Sequence, residues 1–209
     1  LSKSTDPLIL GIETSGNLCS VALGMKGAFL SSKTENLAYG QPKHLMGFIE
    51  VVMKEAGVSF KQLTHLAVNR GPGSFTGLRV GLAVVNGFSL AGNIPILGLT
   101  GFQIWRSLVK DQPLLVALDT RRDDFFAALF KGTDPQPSIV EIMTASQIHE
   151  FFHNHERIEL RGDKLDALSK PSKNLDALDL LQATFENLSK VGVFSPEPFY
   201  FRQPSIHGN

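Results

Sequence analysis

The thirteen residues Asn69-Arg-Gly-Pro-Gly-Ser-Phe-Thr-Gly-Leu-Arg-Val-Gly81 carry the densest chemical signal in this chain. A buried strand over residues 66–69 runs into Arg70, Gly71, Pro72 and Gly73 turn the backbone, and Ser74 or Thr76 can cap the next helix. A strand, a tight turn and a helix start place free N–H groups and the positive end of a helix dipole beside whatever the turn faces. Anion sites are built this way. The phosphate-loop pattern G-x-x-x-x-G-K-[ST] cannot be threaded through the segment, and in G-x-G-x-x-G the third glycine is replaced by Thr76. Pro72 removes a further donor. Gly71, Pro72, Gly73 and Gly77 therefore read as a structural junction between strand and helix, not a nucleotide cradle.

Other residues could also do chemistry. Glu13 and Asp119 stand at strand ends, where kinase-like folds keep carboxylates for metal and phosphate, so a residual phosphate contact is one reading. Turn formation and capping is the other. His149-Glu-Phe-Phe-His153 matches the zinc-peptidase pattern H-E-x-x-H. Its extension fails, because Glu156 replaces the required glycine and Glu159 the third histidine, which leaves the distant Glu186 as third ligand. Cys19, next to Leu18 and near Val21, reads as a buried small hydrophobe. Arg70, Arg79, Arg121 and Arg122 are either a local basic patch or dispersed surface charges.

The bulk composition narrows the classes. The chain has 209 residues, 43% of them hydrophobic and 19% charged, enough for one large domain or two small lobes. Twenty Lys and Arg balance twenty Asp and Glu, so no global basic field draws in a polyanion. A single cysteine excludes an internal disulfide and suits a reducing compartment. Residues 1–7 are polar and 8–12 too short for a signal core, while the apolar stretch 80–99 is broken by Asn86, Asn93 and Pro95. A soluble cytoplasmic protein with no membrane partner is the expectation.

These residues need elements to position them. Strands are expected over 8–13, 20–23 and 28–33, a helix over 43–56 closed by Gly57, a strand over 66–69, a helix over 77–92, a strand over 94–98 and a helix over 101–109. The order βββαβαβα describes a mixed sheet flanked by helices. A boundary at 110 divides the chain into an N-terminal lobe, 1–110, and a C-terminal lobe, 111–209. The second holds strands over 114–118, 125–130, 139–143 and 157–161, helices over 146–153 and 175–188, and an extended proline-bearing tail over 195–202. No repeat of fixed period is visible.

The two long helices are more apolar than a sheet requires. In the first, Lys43, Glu50 and Lys54 form a thin polar line, and in the second Arg79, Asn86 and Asn93 do. A helix packed on one sheet face needs an apolar stripe only about 100° wide. Either the helices also pack on each other, or their outer faces bury against another subunit. His44, Leu45, Phe48, Val52, Leu78, Arg79, Leu82 and Val85 are the residues expected at such an interface.

Together these segments resemble the TsaB (YeaZ) family. The resemblance rests on Leu10-Gly-Ile-Glu-Thr-Ser15, Cys19-Ser-Val-Ala-Leu23, Lys43-His-Leu45 and, most specifically, the block 69–81, with weaker echoes in Ala117-Leu-Asp-Thr-Arg121 and Glu197-Pro-Phe-Tyr-Phe-Arg202. It implies an α/β fold of two RNase H-like lobes, that of the actin/Hsp70/sugar-kinase (ASKHA) superfamily, with a reduced second lobe. It also implies a non-catalytic scaffold, without cofactor, metal or catalytic residue of its own. Such a scaffold supports a TsaD-like catalytic subunit that transfers threonylcarbamoyl to N6 of adenosine 37 in tRNAs reading ANN codons. A TsaE-like ATPase joins the pair, tRNA is met only through the complex, and the isolated chain could form a homodimer. The catalytic relative carries two metal-binding histidines four apart; here His44 is followed by Phe48, and one ligand beside a phenyl ring cannot hold the metal tightly. Its glycine-rich nucleotide turn is matched here by Asp119-Thr-Arg-Arg-Asp-Asp124, whose carboxylates repel phosphate unless a metal intervenes. A stand-alone small-molecule kinase of the same superfamily and, more remotely, a zinc peptidase are the alternatives.

Overall fold

The structure is a computed structural model, described here for residues 6–37, 41–110, 112–132, 134, 136–155, 158–168, 170–188, 197 and 199. Strands β1 (Ile9–Glu13), β2 (Leu18–Met25) and β3 (Ala28–Asn36) form an antiparallel meander. Helix α1 (Gln41–Glu55) then crosses to β4 (His65–Asn69), parallel to β1, and α2 (Phe75–Gly92) crosses to β5 (Ile96–Leu99). The sheet order is β3-β2-β1-β4-β5. Both faces of β1 and β4 are covered, which is why they are nearly continuous runs of aliphatic residues.

After α3 (Gly101–Leu108) the first part of this pattern recurs. Strands β6 (Leu114–Asp119), β7 (Asp124–Phe130) and β8 (Ile139–Thr144) form a meander, and α4 (Ala145–His153) leads to β9 (Glu159–Gly162), parallel to β6. The second sheet has the order β8-β7-β6-β9, the order of the first without its last strand. Two RNase H-like lobes, the second reduced, are thus present.

Residue 110 lies between the two sheets in sequence, and the last described helix does not stay with the second sheet. Helix α5 (Ala177–Asn187) returns to the first sheet, where Leu181 lies against the bare backbone of Gly11 and Gly24. Its first amide, Ala177 N, donates to Ser20 Oγ on β2 at 2.9 Å. Together α3 and α5 fill the space between the sheets, joining Ile9, Ala67 and Leu97 of one to Leu114, Val116 and Leu118 of the other in a single core. A second core lies between the first sheet and α1 with α2, and a third between the second sheet and α4.

Local chemistry sets the helix ends. Leu45, Phe48, Ile49 and Val52 recur at i, i+3, i+4 and i+7 and seat α1 on the sheet, and Gly57, at φ +64°, closes the following turn. Ser74 caps α2 through Gly77 N at 3.2 Å, and Asn93, in the left-handed region at φ 51°, ends it. The start expected for β9 at Arg157 and the extended tail over 195–202 lie outside the described residues, apart from Glu197 and Phe199.

Candidate functional site

Strands β1 and β4 end side by side, and the turns that leave them are locked to each other. Glu13 is buried, with Oε1 accepting from Ser15 N and Oε2 from Asn69 Nδ2, both at 2.6 Å. Asn69 Oδ1 accepts from Gly71 N at 2.9 Å, Ser74 N donates to Ser15 O at 2.7 Å, and Thr14 Oγ1 donates to Gly77 O at 2.8 Å. A Cβ on Gly73 would overlap Ser15 O, and one on Gly81 would fall 2.5 Å from Thr14 Oγ1. Only glycine lets the two turns approach so closely. The amides of Arg70, Gly71, Ser74 and Gly77 are all bonded within the protein, Arg70 N to Leu99 O at 2.8 Å. The donors that an anion would need from these residues are already in use.

The turn after β6 in the second lobe is arranged in a related way. Asp119 Oδ1 accepts from Arg121 N at 2.8 Å, and Asp119 N donates to Asp163 Oδ1 at 2.7 Å. Thr120 Oγ1 bonds Asp124, and Arg122 N donates to Thr120 Oγ1 at 3.2 Å. Lys164 Nζ stands 3.5 Å from Asp119. Glu13 and Asp119 each accept from the amide two residues on, which is turn formation. Each Glu13 oxygen accepts a hydrogen bond within the protein, and Glu13 does not line the cleft between the lobes. Asp119 does line it.

That cleft, between the lobes, is a cavity of about 20 Å³ bordered by Ser15, Asn69, Trp105, Asp119, Asp163 and Lys173. It has room for about one water molecule, far below a nucleotide pocket of several hundred Å³. Trp105 is 3% exposed, and its Nε1–H has no hydrogen-bond partner among the described residues. Burial raises the Glu13 carboxyl to about 7, against the hydrogen bonds from Ser15 and Asn69 that lower it. Burial also raises the Asp163 carboxyl. The Cys19 thiol is pushed up to about 11 by burial and then by the Glu35 charge, so at neutral pH it is a protonated core residue.

The interface residues expected from sequence divide sharply. Leu45, Phe48, Val52, Leu78, Leu82 and Val85 are at most 6% exposed and belong to the chain's own interior, so that part of the expectation is corrected. They form the inward stripe that seats α1 and α2 on the sheet. His44 and Arg79 are exposed, the His44 ring 6.1 Å from Phe48 and the Arg79 guanidinium 3.7 Å above the ring of Phe75. The apolar surface on these helices comes instead from Met46, Val51, Phe75 and Leu90, the last 87% exposed. By length and composition α2 could cross a membrane; here one side of it packs on the first sheet. His149 and His153 lie on the exposed face of α4, and no group of three metal-ligating side chains occurs among the described residues.

Two RNase H-like lobes with a shared core define the class of fold, an α/β architecture of the ASKHA type with the second lobe reduced. A family model described as TsaD, tRNA N6-adenosine threonylcarbamoyltransferase, matches residues 41–166, more than half of the chain. The TsaB tRNA threonylcarbamoyladenosine biosynthesis protein of Buchnera aphidicola subsp. Schizaphis graminum is 34% identical over 119 residues, 54% of this chain and 56% of its own. The Escherichia coli K12 TsaB is 28% identical over 128 residues, 59% of this chain and 54% of its own. The chain therefore spans about half the length of these curated relatives. A Pseudomonas aeruginosa crystal structure, described as an uncharacterized protein with similarity to peptidase YEAZ, superposes with a TM-score of 0.76. It covers 94% of this chain and all of its own, at 21% identity, and shows the fold. The chain belongs to the family of that transferase model, on its TsaB/YeaZ branch.

Proposed function

We propose that this chain is a non-catalytic scaffold in the cytoplasmic complex that places a threonylcarbamoyl group on N6 of adenosine 37 in tRNAs reading ANN codons. Its role is to support a TsaD-like catalytic subunit, with a TsaE-like ATPase as third component and tRNA contacted through the assembly. The observation that carries this reading is the small size of the cleft, about 20 Å³. Beside it, the amides of Arg70, Gly71 and Ser74 after β4 and of Thr120, Arg121 and Arg122 after β6 bond within the protein. Phe48, buried beneath His44, supports it further, because the helix that would hold a metal pair offers one imidazole.

The partner surface in this reading is the outer side of α1 and α2. Met46, Val51, Phe75 and Leu90 give it apolar area, and His44 and Arg79 give it polar contacts. Exposed apolar side chains on two helices that pack on the same sheet give a partner apolar area to cover. In isolation the same surface can pair two copies of this chain. Co-purification with the catalytic relative from the same organism, followed by tRNA modification assays with and without this chain, tests the role. A modification rate indifferent to this chain would contradict it.

A further inference from the structure

Two residues of the C-terminal segment reach back to the signature turn. Phe199 N donates to Arg70 O at 2.8 Å, and Arg70 Nε donates to Glu197 O at 2.9 Å. Arg70 thus grips alternate residues of a second backbone, once with its main chain and once with its guanidinium, much as a sheet edge takes up an added strand. The Phe199 ring meets Phe102 edge-on, centroids 6.5 Å apart, and packs on the core between the sheets. Gly71, at φ +104°, passes beneath. A Cβ there would lie 2.9 Å from Leu78 Cδ1 of α2 and 3.1 Å from Phe199 O. Its carbonyl accepts from Gly101 N, the first residue of α3, at 2.9 Å. One peptide unit therefore touches the tail, α2 and α3 together.

We propose that the groove formed by Arg70, Gly71 and Phe102 is a binding site for an extended peptide with one aromatic anchor. Its occupants are the chain's own Glu197 and Phe199, which act as a strap that holds the turn and the start of α2 in position. Main-chain hydrogen bonds supply the grip and the Phe199 ring supplies the anchor. The strap stands on these contacts alone. Its consequence for partner binding rests on the scaffold reading, through the α2 surface.

Amide hydrogen exchange on the full chain tests this. In Phe199→Ala the amides of Gly101 and Ser74 should lose protection by roughly tenfold while β1 and β2 keep theirs. Excess synthetic peptide of the sequence 195–202 should restore the loss, and the same peptide with alanine for Phe199 should not. Should Phe199→Ala not fold, Arg70→Lys, which removes the Nε donor and keeps the charge, is read in the same way. Unchanged protection at Gly101 and Ser74 would overturn the proposal, because the turn would then stand without the strap. A loss shared equally by β1 and β2 would overturn it as well, making Phe199 an ordinary core residue, and so would failure of the peptide to restore protection. Local loss with unaltered association with the catalytic relative would leave the strap standing and count against the α2 surface as interface.

Discussion

Glu13 and Asn69 meet at 2.6 Å where β1 and β4 end together, and through Asn69 Oδ1 and Gly71 N this pair fastens the signature turn to the centre of the first sheet. The contact is buried, and burial lifts the Glu13 carboxyl from an ordinary 4.5 to about 7.

That shift fixes the sign of a pH dependence. Between pH 4.5 and about 7 the folded chain keeps a proton on Glu13 that the unfolded chain releases. The stability is therefore fully present below 4.5, declines as pH rises to about 7 and is flat above. The change amounts to on the order of 3 kcal/mol. Asp163 and Asp179, also raised by burial, act in the same direction, and His65, lowered by burial, acts in the opposite one. Denaturant melts of the wild type and Glu13→Gln from pH 4 to 8 isolate the one group. The difference between the two curves should carry the slope, and parallel curves would assign it elsewhere.

Steric closeness at the turn gives a second expectation. Gly73→Ala forces a methyl into Ser15 O and should cost ~1–3 kcal/mol of stability. Gly87 on α2 faces open space, so Gly87→Ala should stabilise the helix by ~0.5–1 kcal/mol. Thermal melts of both variants check the pair. Equal and small effects would show that the turns do not need to approach so closely.

The contrast between outward and inward residues of α2 is testable by charge. Leu90→Glu should leave stability within about 0.5 kcal/mol of wild type. It should weaken association with the catalytic relative by on the order of tenfold, measured by light scattering or calorimetry. Val85→Glu, at a fully buried position, should instead cost about 4 kcal/mol or more and fail to fold cleanly. A Leu90→Glu protein that associates normally would remove the α2 surface from the interface.

The element order and the junction at 69–81 were legible in sequence because strand and helix periods, glycine and the Ser74 cap are local signals. The inward side of α1 was legible as well. Leu45, Phe48, Ile49 and Val52 follow the ordinary i, i+3, i+4, i+7 stripe, and the excess apolar residues outside it, Met46 and Val51, mark the free surface. Assigning the regular stripe to a partner inverted that logic. The return of α5 to the first sheet depends on contacts more than 150 residues apart, such as Ser20 with Ala177. Its only local trace is glycine inside strands, Gly11 and Gly24, where another element approaches closely. The recurrence of β1-β2-β3-α1-β4 in β6-β7-β8-α4-β9 is carried by strand order and leaves no sequence period to find. Asn69 and the strap residues Glu197 and Phe199 took on roles only once distant strands and the tail were placed together.

In the scaffold role this chain assists a transferase without performing the transfer. A single-turnover assay with threonylcarbamoyl adenylate and tRNA decides it most directly, run with this chain alone, with the TsaD-like subunit alone and with both. The expected result is no modified adenosine from this chain alone and more product from the pair than from the catalytic subunit by itself. Modified tRNA formed by this chain alone would contradict that role.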